Sequence, residues 1–248
     1  MINSTPIDRV LLDLVAEYAR IEAILDGLTN DQWGAPSAAP GWSMADTILH
    51  LAQTEEGVVT TLATPTSTWA THDGSLDHQM NAQVRSASMT PMQIFDRWKA
   101  AHRSSVAALA TADPTLTVRW AAAPLKPQTL ATTRLAEHWA HMLDVTGPLG
   151  INYPDTDRLR HIAWLGHATL PYALKLAGLP FQPIRCTLIA PSGTTTNYGP
   201  IDAPAVISGS MGAFCRVGAQ RMHSNESGLI TNGPAAETAL RFLRNYAA

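Results

Sequence analysis

Charge is scarce in this chain: acidic and basic residues make up 15% of its 248 residues, against about 25% in an average globular protein. The net charge of −3 is spread without a long run of either sign, which argues against a nucleic-acid binder built on a basic face and against a disordered acidic tail. Cysteine is scarcer still. Cys186 and Cys215 form no C-x-x-C pair, so neither a disulfide framework nor a cysteine-rich zinc module is available. No window reaches the roughly 18 uncharged apolar residues of a membrane-spanning helix, and the opening MINSTPIDR lacks the apolar run of a secretory leader. These absences lead to the expectation of a cytoplasmic protein that acts on a small molecule, with neither nucleic acid nor membrane as partner. What is present is apolar material. At 46% hydrophobic residues, the chain has enough for one large or two small domains.

The first two-thirds reads as helix. Residues 6–28 carry Ile7, Val10, Leu11, Leu14, Tyr18, Ile21 and Leu25 at three-and-four spacing. The segment GAPSAAPG, after a turn at Asp31–Trp33, breaks the pattern. Ser43 then stands as N-cap, with Asp46 placed to complete a capping box, for a helix running to about Leu62. A third helical region, Leu76–Ala110, breaks near Pro91, where Thr90 can cap a new start. Pro124 and Pro127 frame a loop into a fourth helix, Thr129–Val145, closed by Gly147 and Pro148. Four helices of this length suggest a bundle. A further helix over Asp155–Ala177 precedes a change of texture near residue 180. Beyond it, Ile184, Cys186 and Leu188 alternate with polar residues, and Thr194–Tyr198 reads as the return strand of a hairpin. Short segments follow: Ala205–Ile207, a small helix over Ala213–Arg221, a strand near Leu229 and a helix opened by Pro234. The fold class expected is α+β, with a helical bundle over 1–180 and a small α+β domain over 181–248 packed on it.

One constellation can carry chemistry. At 100° per residue, Arg134, Glu137, His141 and Asp144 fall within one sector of about 80° on the fourth helix. Glu137 and His141, at i and i+4, can bring a carboxylate oxygen and an imidazole nitrogen to one point, as metal-binding helices do. On the second helix, Ala45, Ile48, Leu49, Ala52 and Val59 form the apolar face, and His50 stands on the other with Asp46, Gln53 and Thr54. A polar helical sector ordinarily faces solvent, and His138 offers a rival i, i+3 pair with His141. The remaining histidines, His72, His78, His102, His161, His167 and His223, have no partner at ligand spacing.

The stretch APGWSMADTILHLAQTEE, with its Pro-Gly-Trp-Ser turn and a histidine eight positions after the Trp, carries a family resemblance together with RLAEHWAHMLDV. Both resemble the mycothiol-dependent maleylpyruvate isomerase branch of the DinB-like metalloenzymes, including actinobacterial metal-binding members named for wyosine-base formation. The C-terminal PSGTTTNYGP, GSMGAFCRVGAQR and NGPAAE resemble the second domain of those proteins. The resemblance implies an N-terminal four-helix bundle whose interior holds zinc, or another divalent metal, through His50, Glu137 and His141. Arg134 and Asp144 would then orient the carboxylate and the imidazole. It also implies mycothiol as a thiol cofactor and, in the second domain, Arg221 as the catalytic group that holds a substrate carboxylate or enolate. His138 and Met142 depart from the family's usual small residues, so His138 could replace a ligand.

The activity implied is isomerisation or thiol transfer on an unsaturated carboxylate-type or other electrophilic substrate. In the isomerase version a thiolate adds to a conjugated alkene, the carbon–carbon bond rotates and the thiol leaves. Two other readings use the same scaffold: a thiol-independent tailoring enzyme of secondary metabolism, and a non-catalytic ligand- or metal-binding protein.

Overall fold

A computed structural model describes residues 6–64, 76–120 and 123–245. The chain divides into two compact units, the first ending at Tyr153 and the second running from Pro154.

The first unit is built from four long helices, α1 (Pro6–Asp26), α3 (Met44–Ala63), α5 (Pro91–Thr111) and α6 (Pro127–Leu149), with a short α2 (Asn30–Gly34) and α4 (Leu76–Ser86) between them. Helices α1 and α3 each pack against both α5 and α6, which closes the four into a bundle. The apolar stripe of α1, including Leu14, Tyr18 and Ile21, is fully buried, while Leu12 and Val15 lie on its solvent side. The caps follow from local chemistry. Ser43 and Asp46 form a reciprocal capping box at the start of α3, and Thr90 with Gln93 does the same for α5, where Pro91 takes the first turn.

Three local features depart from the sequence expectation. The turn at Asp31–Trp33 is a short helix, α2, because Thr29 and Gln32 supply a capping box of their own. Ahead of α6 the chain forms two paired antiparallel strands, β1 (Val118–Trp120) and β2 (Ala123–Leu125), and Pro124 lies within the second of them. Helix α6 does not stop at Gly147. It continues through Pro148 to Leu149 and closes at Gly150, whose φ of 65° suits a left-handed C-cap. Pro148 has no N–H for the carbonyl of Asp144, four residues back. That carbonyl instead accepts from the N–H of Ala38, at 2.9 Å. The proline therefore frees an acceptor that ties the segment before α3 to the end of α6.

In the second unit, α7 (Leu159–Leu176), α8 (Met211–Gly218) and α9 (Pro234–Phe242) accompany a sheet of order β4–β3–β5–β6. Its strands are β3 (Ile184–Ile189), β4 (Thr195–Tyr198), β5 (Ala205–Ser210) and β6 (Ile230–Asn232). The central pair β3 and β5 is parallel and the flanking pairings are antiparallel. Ile184, Cys186 and Leu188 are buried on one face of β3, which is the period of two read from the sequence. The compact units part after Tyr153, whereas the sequence texture changes near residue 180. The difference is α7, which has helical texture but packs against α8 and α9. Among the described residues, no helix is long and apolar enough to cross a membrane.

Candidate metal centre

Helices α3 and α6 bring the candidate donors together. His50 lies two turns into α3, and its Nε2 is 3.1 Å from Glu137 Oε1 on α6. His141, one turn further along α6, has Nε2 3.6 Å from the same oxygen. One ligand atom from each of the three lies within 4.8 Å of the others. The His141 Nδ1–H donates to the Asp144 carboxylate at 3.0 Å, which fixes the ring so that Nε2 faces the common point. Glu137 keeps 28% of its side chain exposed and His141 14%, against 7% for His50, so the cluster opens toward solvent on the α6 side.

Trp42, from the Pro-Gly-Trp-Ser turn, packs beside both imidazoles. Its ring centroid is 5.0 Å from that of His50 and 6.1 Å from that of His141, nearly parallel to the latter. Its indole N–H donates to Asn81 Oδ1 on α4 at 3.0 Å. The sequence motif marked this turn as a helix opening, and its aromatic ring lines the centre as well.

The electrostatics separate the donors. Burial pushes the His50 pKa down, outweighing the hydrogen bond to Glu137. Burial alone would raise the Glu137 carboxyl, but hydrogen bonds from His141 and His50 and the charge of Arg134 hold it well below the usual range. For His141 burial works downward, and the bonds to Asp144 and Glu137 reverse it to a net rise.

Two assignments need correction. Arg134 does not contact Glu137: its Nε donates to Glu55 Oε1 at 2.9 Å and its Nη2 to Thr54 Oγ1 at 2.7 Å. Its guanidinium is drawn to Glu55 because that fully buried carboxylate has no solvent to turn to. His138 does not pair with His141. It is fully buried, its Nδ1–H donates to the Arg134 carbonyl at 3.0 Å, and its Nε2 accepts from the Trp98 indole N–H at 3.1 Å. Both ring nitrogens are spent, so none is left for a cation.

Sequence reasoning missed Glu55, although a signal was there. On a helical projection it falls between Ile48 and Leu51, both fully buried, where a glutamate must find partners or pay for its desolvation. Those partners are Arg134, the Tyr18 hydroxyl at 2.8 Å and the Ser105 hydroxyl. His102, which has no partner at ligand spacing, is a core residue packed against Tyr18 and Trp98, with centroids at 4.6 and 4.5 Å. Burial lowers its pKa to about 4. His72 lies outside the described residues.

Residues 14–146, which include all three donors, match the family described as the mycothiol maleylpyruvate isomerase N-terminal domain. The chain belongs to the mycothiol maleylpyruvate isomerase family. Two curated relatives within reach are the uncharacterized proteins MT0041 and Rv0036c of Mycobacterium tuberculosis strains CDC 1551 and H37Rv. Each is 34% identical over 218 residues, covering 84% of either chain. Among solved structures, that of the mycothiol-dependent maleylpyruvate isomerase aligns with a TM-score of 0.61 at 16% identity, covering 94% of this chain and 96% of that one. A single-site mutant of the same enzyme aligns at 0.62. These structures share the fold with this member of the mycothiol maleylpyruvate isomerase family.

Arg221 lies in the second unit, outside the matched region. Helix α8 was expected to reach it but ends at Gly218, and the chain turns through Gln220 with φ 57°. The Arg221 Nη1 donates to the carbonyl of Ala219 at 2.8 Å.

Proposed function

We propose that the protein is a metal-dependent isomerase or transferase that uses a small thiol, mycothiol, on an unsaturated carboxylate-type or other electrophilic substrate. The observation that carries this reading is the convergence of His50, Glu137 and His141 from two helices, with the His141 ring oriented by Asp144. Two imidazoles and one carboxylate suit zinc, and also iron(II). His50 turns Nε2 toward the Glu137 carboxylate, whereas both nitrogens of His138 are held by the Arg134 carbonyl and the Trp98 indole. A divalent ion held by these donors would leave a coordination position for a thiol sulfur and favour its thiolate form.

The chain itself supplies no such thiol. Cys186 and Cys215 are both buried, and burial raises both thiols, Cys186 to about 12. A thiol nucleophile would then come from a small molecule, in line with the mycothiol reading. Asp144 would hold the His141 ring in register, and the exposed edge of Glu137 would face the entering reactants. For the substrate's anionic group we retain Arg221 on chemical grounds, since a guanidinium can hold a carboxylate through two parallel hydrogen bonds.

Elemental analysis tests the metal first: wild type should carry about one divalent ion per chain, most of which His141→Ala loses and His138→Ala keeps where it folds. Equal content in wild type and His141→Ala removes the ligand assignment. Maleylpyruvate turnover with and without mycothiol then tests the reaction, and thiol-independent turnover would replace this reading with the tailoring enzyme. Arg221→Lys should lower turnover on the order of a hundredfold while metal content holds, because lysine cannot reproduce the two-point geometry. Wild-type kinetics in that variant would return Arg221 to an ordinary side chain.

A further inference from the structure

The carboxylate of Glu55 is where the whole bundle meets. It sits on α3 with no exposed surface. It accepts from Tyr18 of α1, from Ser105 of α5 and from Arg134 of α6. Arg134 reaches α3 a second time through Thr54 Oγ1 at 2.7 Å, and its guanidinium lies over the Trp120 ring at 5.5 Å. The donor trio lies close by on the same two helices: His50 is five residues before Glu55, and Glu137 three residues after Arg134. At 1.5 Å rise per residue those offsets are about 7 and 5 Å along the helix axes.

We propose that the buried Glu55–Arg134 pair, with Thr54, is a register key that locks α3 against α6 and so sets the separation of His50 from Glu137 and His141. This rests on the reading of those three residues as a metal centre. Apolar packing between two helices is non-directional and tolerates small slides. Hydrogen bonds at 2.9 and 2.7 Å from one rigid guanidinium do not. A slide of one residue is about 1.5 Å, whereas a metal centre has to be held to within about 0.5 Å. An ion pair buried this deeply contributes little net stability compared with apolar residues of similar volume. Its retention is then explained by geometry that an apolar pair would not impose. Glu55, Arg134 and Thr54 are positioning residues: none of them is a metal ligand.

The test measures metal affinity by competition with a chelator, together with the visible absorption of the cobalt(II)-loaded protein, which reports ligand geometry independently of turnover. The double variant Glu55→Met with Arg134→Met replaces the pair with apolar chains. It should keep a cooperative unfolding transition yet bind metal about 10–100-fold more weakly, with an altered cobalt spectrum. Thr54→Val removes one hydrogen bond without changing shape and should shift affinity in the same direction by several-fold. Leu14→Ala, a core truncation on α1, should lower stability and leave affinity and spectrum as in wild type. If Thr54→Val matches wild type in both readouts, or Leu14→Ala weakens binding as much, the register key is refuted, whether or not the double variant folds. A wild-type protein that binds no metal at all would instead refute the metal centre.

Discussion

Two polar clusters share α3 and α6, and they differ in what they leave over. Around Glu55 the groups are shut away from solvent: Glu55 and His138 have no exposed side chain, Arg134 has 2%, and both His138 nitrogens are occupied, although the adjoining His102 keeps a buried Nε2 without a hydrogen-bond partner. Around Glu137 the groups are partly open, with 28% of the Glu137 and 14% of the His141 side chain exposed, and three donor residues converge within 4.8 Å of one another. His138 and His141, about one turn apart on α6, thus stand in different environments. What separates a candidate binding site from a structural knot here is convergence of donor atoms beside a path to solvent, since residue type is common to both.

The sharpest way to break that contrast is to neutralise one carboxylate from each cluster. Glu55→Gln leaves Arg134 buried without a compensating charge and should cost roughly 3–5 kcal/mol in urea unfolding of the metal-free protein. Glu137→Gln, at a partly exposed position, should cost about 1 kcal/mol or less. Equal losses would erase the distinction.

Acid should find the closed cluster next. His102 titrates at 6.5 when unperturbed and at about 4 in the fold, lowered by burial against the opposing pull of Glu55. Below pH 6.5 the unfolded chain takes up a proton that the folded chain refuses. Stability is therefore complete above 6.5, falls as the pH drops and has lost its full share, about 3 kcal/mol, near pH 4. Burial holds His138 neutral as well, which adds in the same direction. Unfolding measured from pH 7 to 4 should show the decline, and His102→Gln should flatten it; an unchanged slope in that variant would place the acid sensitivity elsewhere.

The smallest expected effect sharpens the open cluster. Asp144→Asn keeps the shape and removes the charge that orients His141, so metal affinity should fall about 10–100-fold with stability little changed. A chelator competition that reads the same in variant and wild type would leave Asp144 without an orienting role.

Much of the fold was legible because short-range chemistry wrote it. The Ser43–Asp46 and Thr90–Gln93 boxes, the stripe of α1 and the alternation of Ile184, Cys186 and Leu188 each depend on residues a few positions apart. The β1–β2 pairing was not legible, because three-residue strands, one of them containing Pro124, carry no period to detect. The run of α6 past Gly147 was missed for another reason: the carbonyl that Pro148 frees is used by Ala38, more than a hundred residues away. The candidate donors were legible as types and spacings on two helices.

By itself, then, the sequence determined the long helices, the caps at Ser43 and Thr90, and the membership of His50, Glu137 and His141 in polar sectors of their helices. It could not say which way those sectors face, since angular position on one helix is local, whereas burial depends on where three other helices pass. Only the tertiary structure decided that Arg134 turns to Glu55 and away from Glu137, and that His138 is spent on Trp98. The reason is physical: a buried charge takes whichever partner relieves the most desolvation, and that partner is chosen by packing across the core, between residues that the chain places far apart.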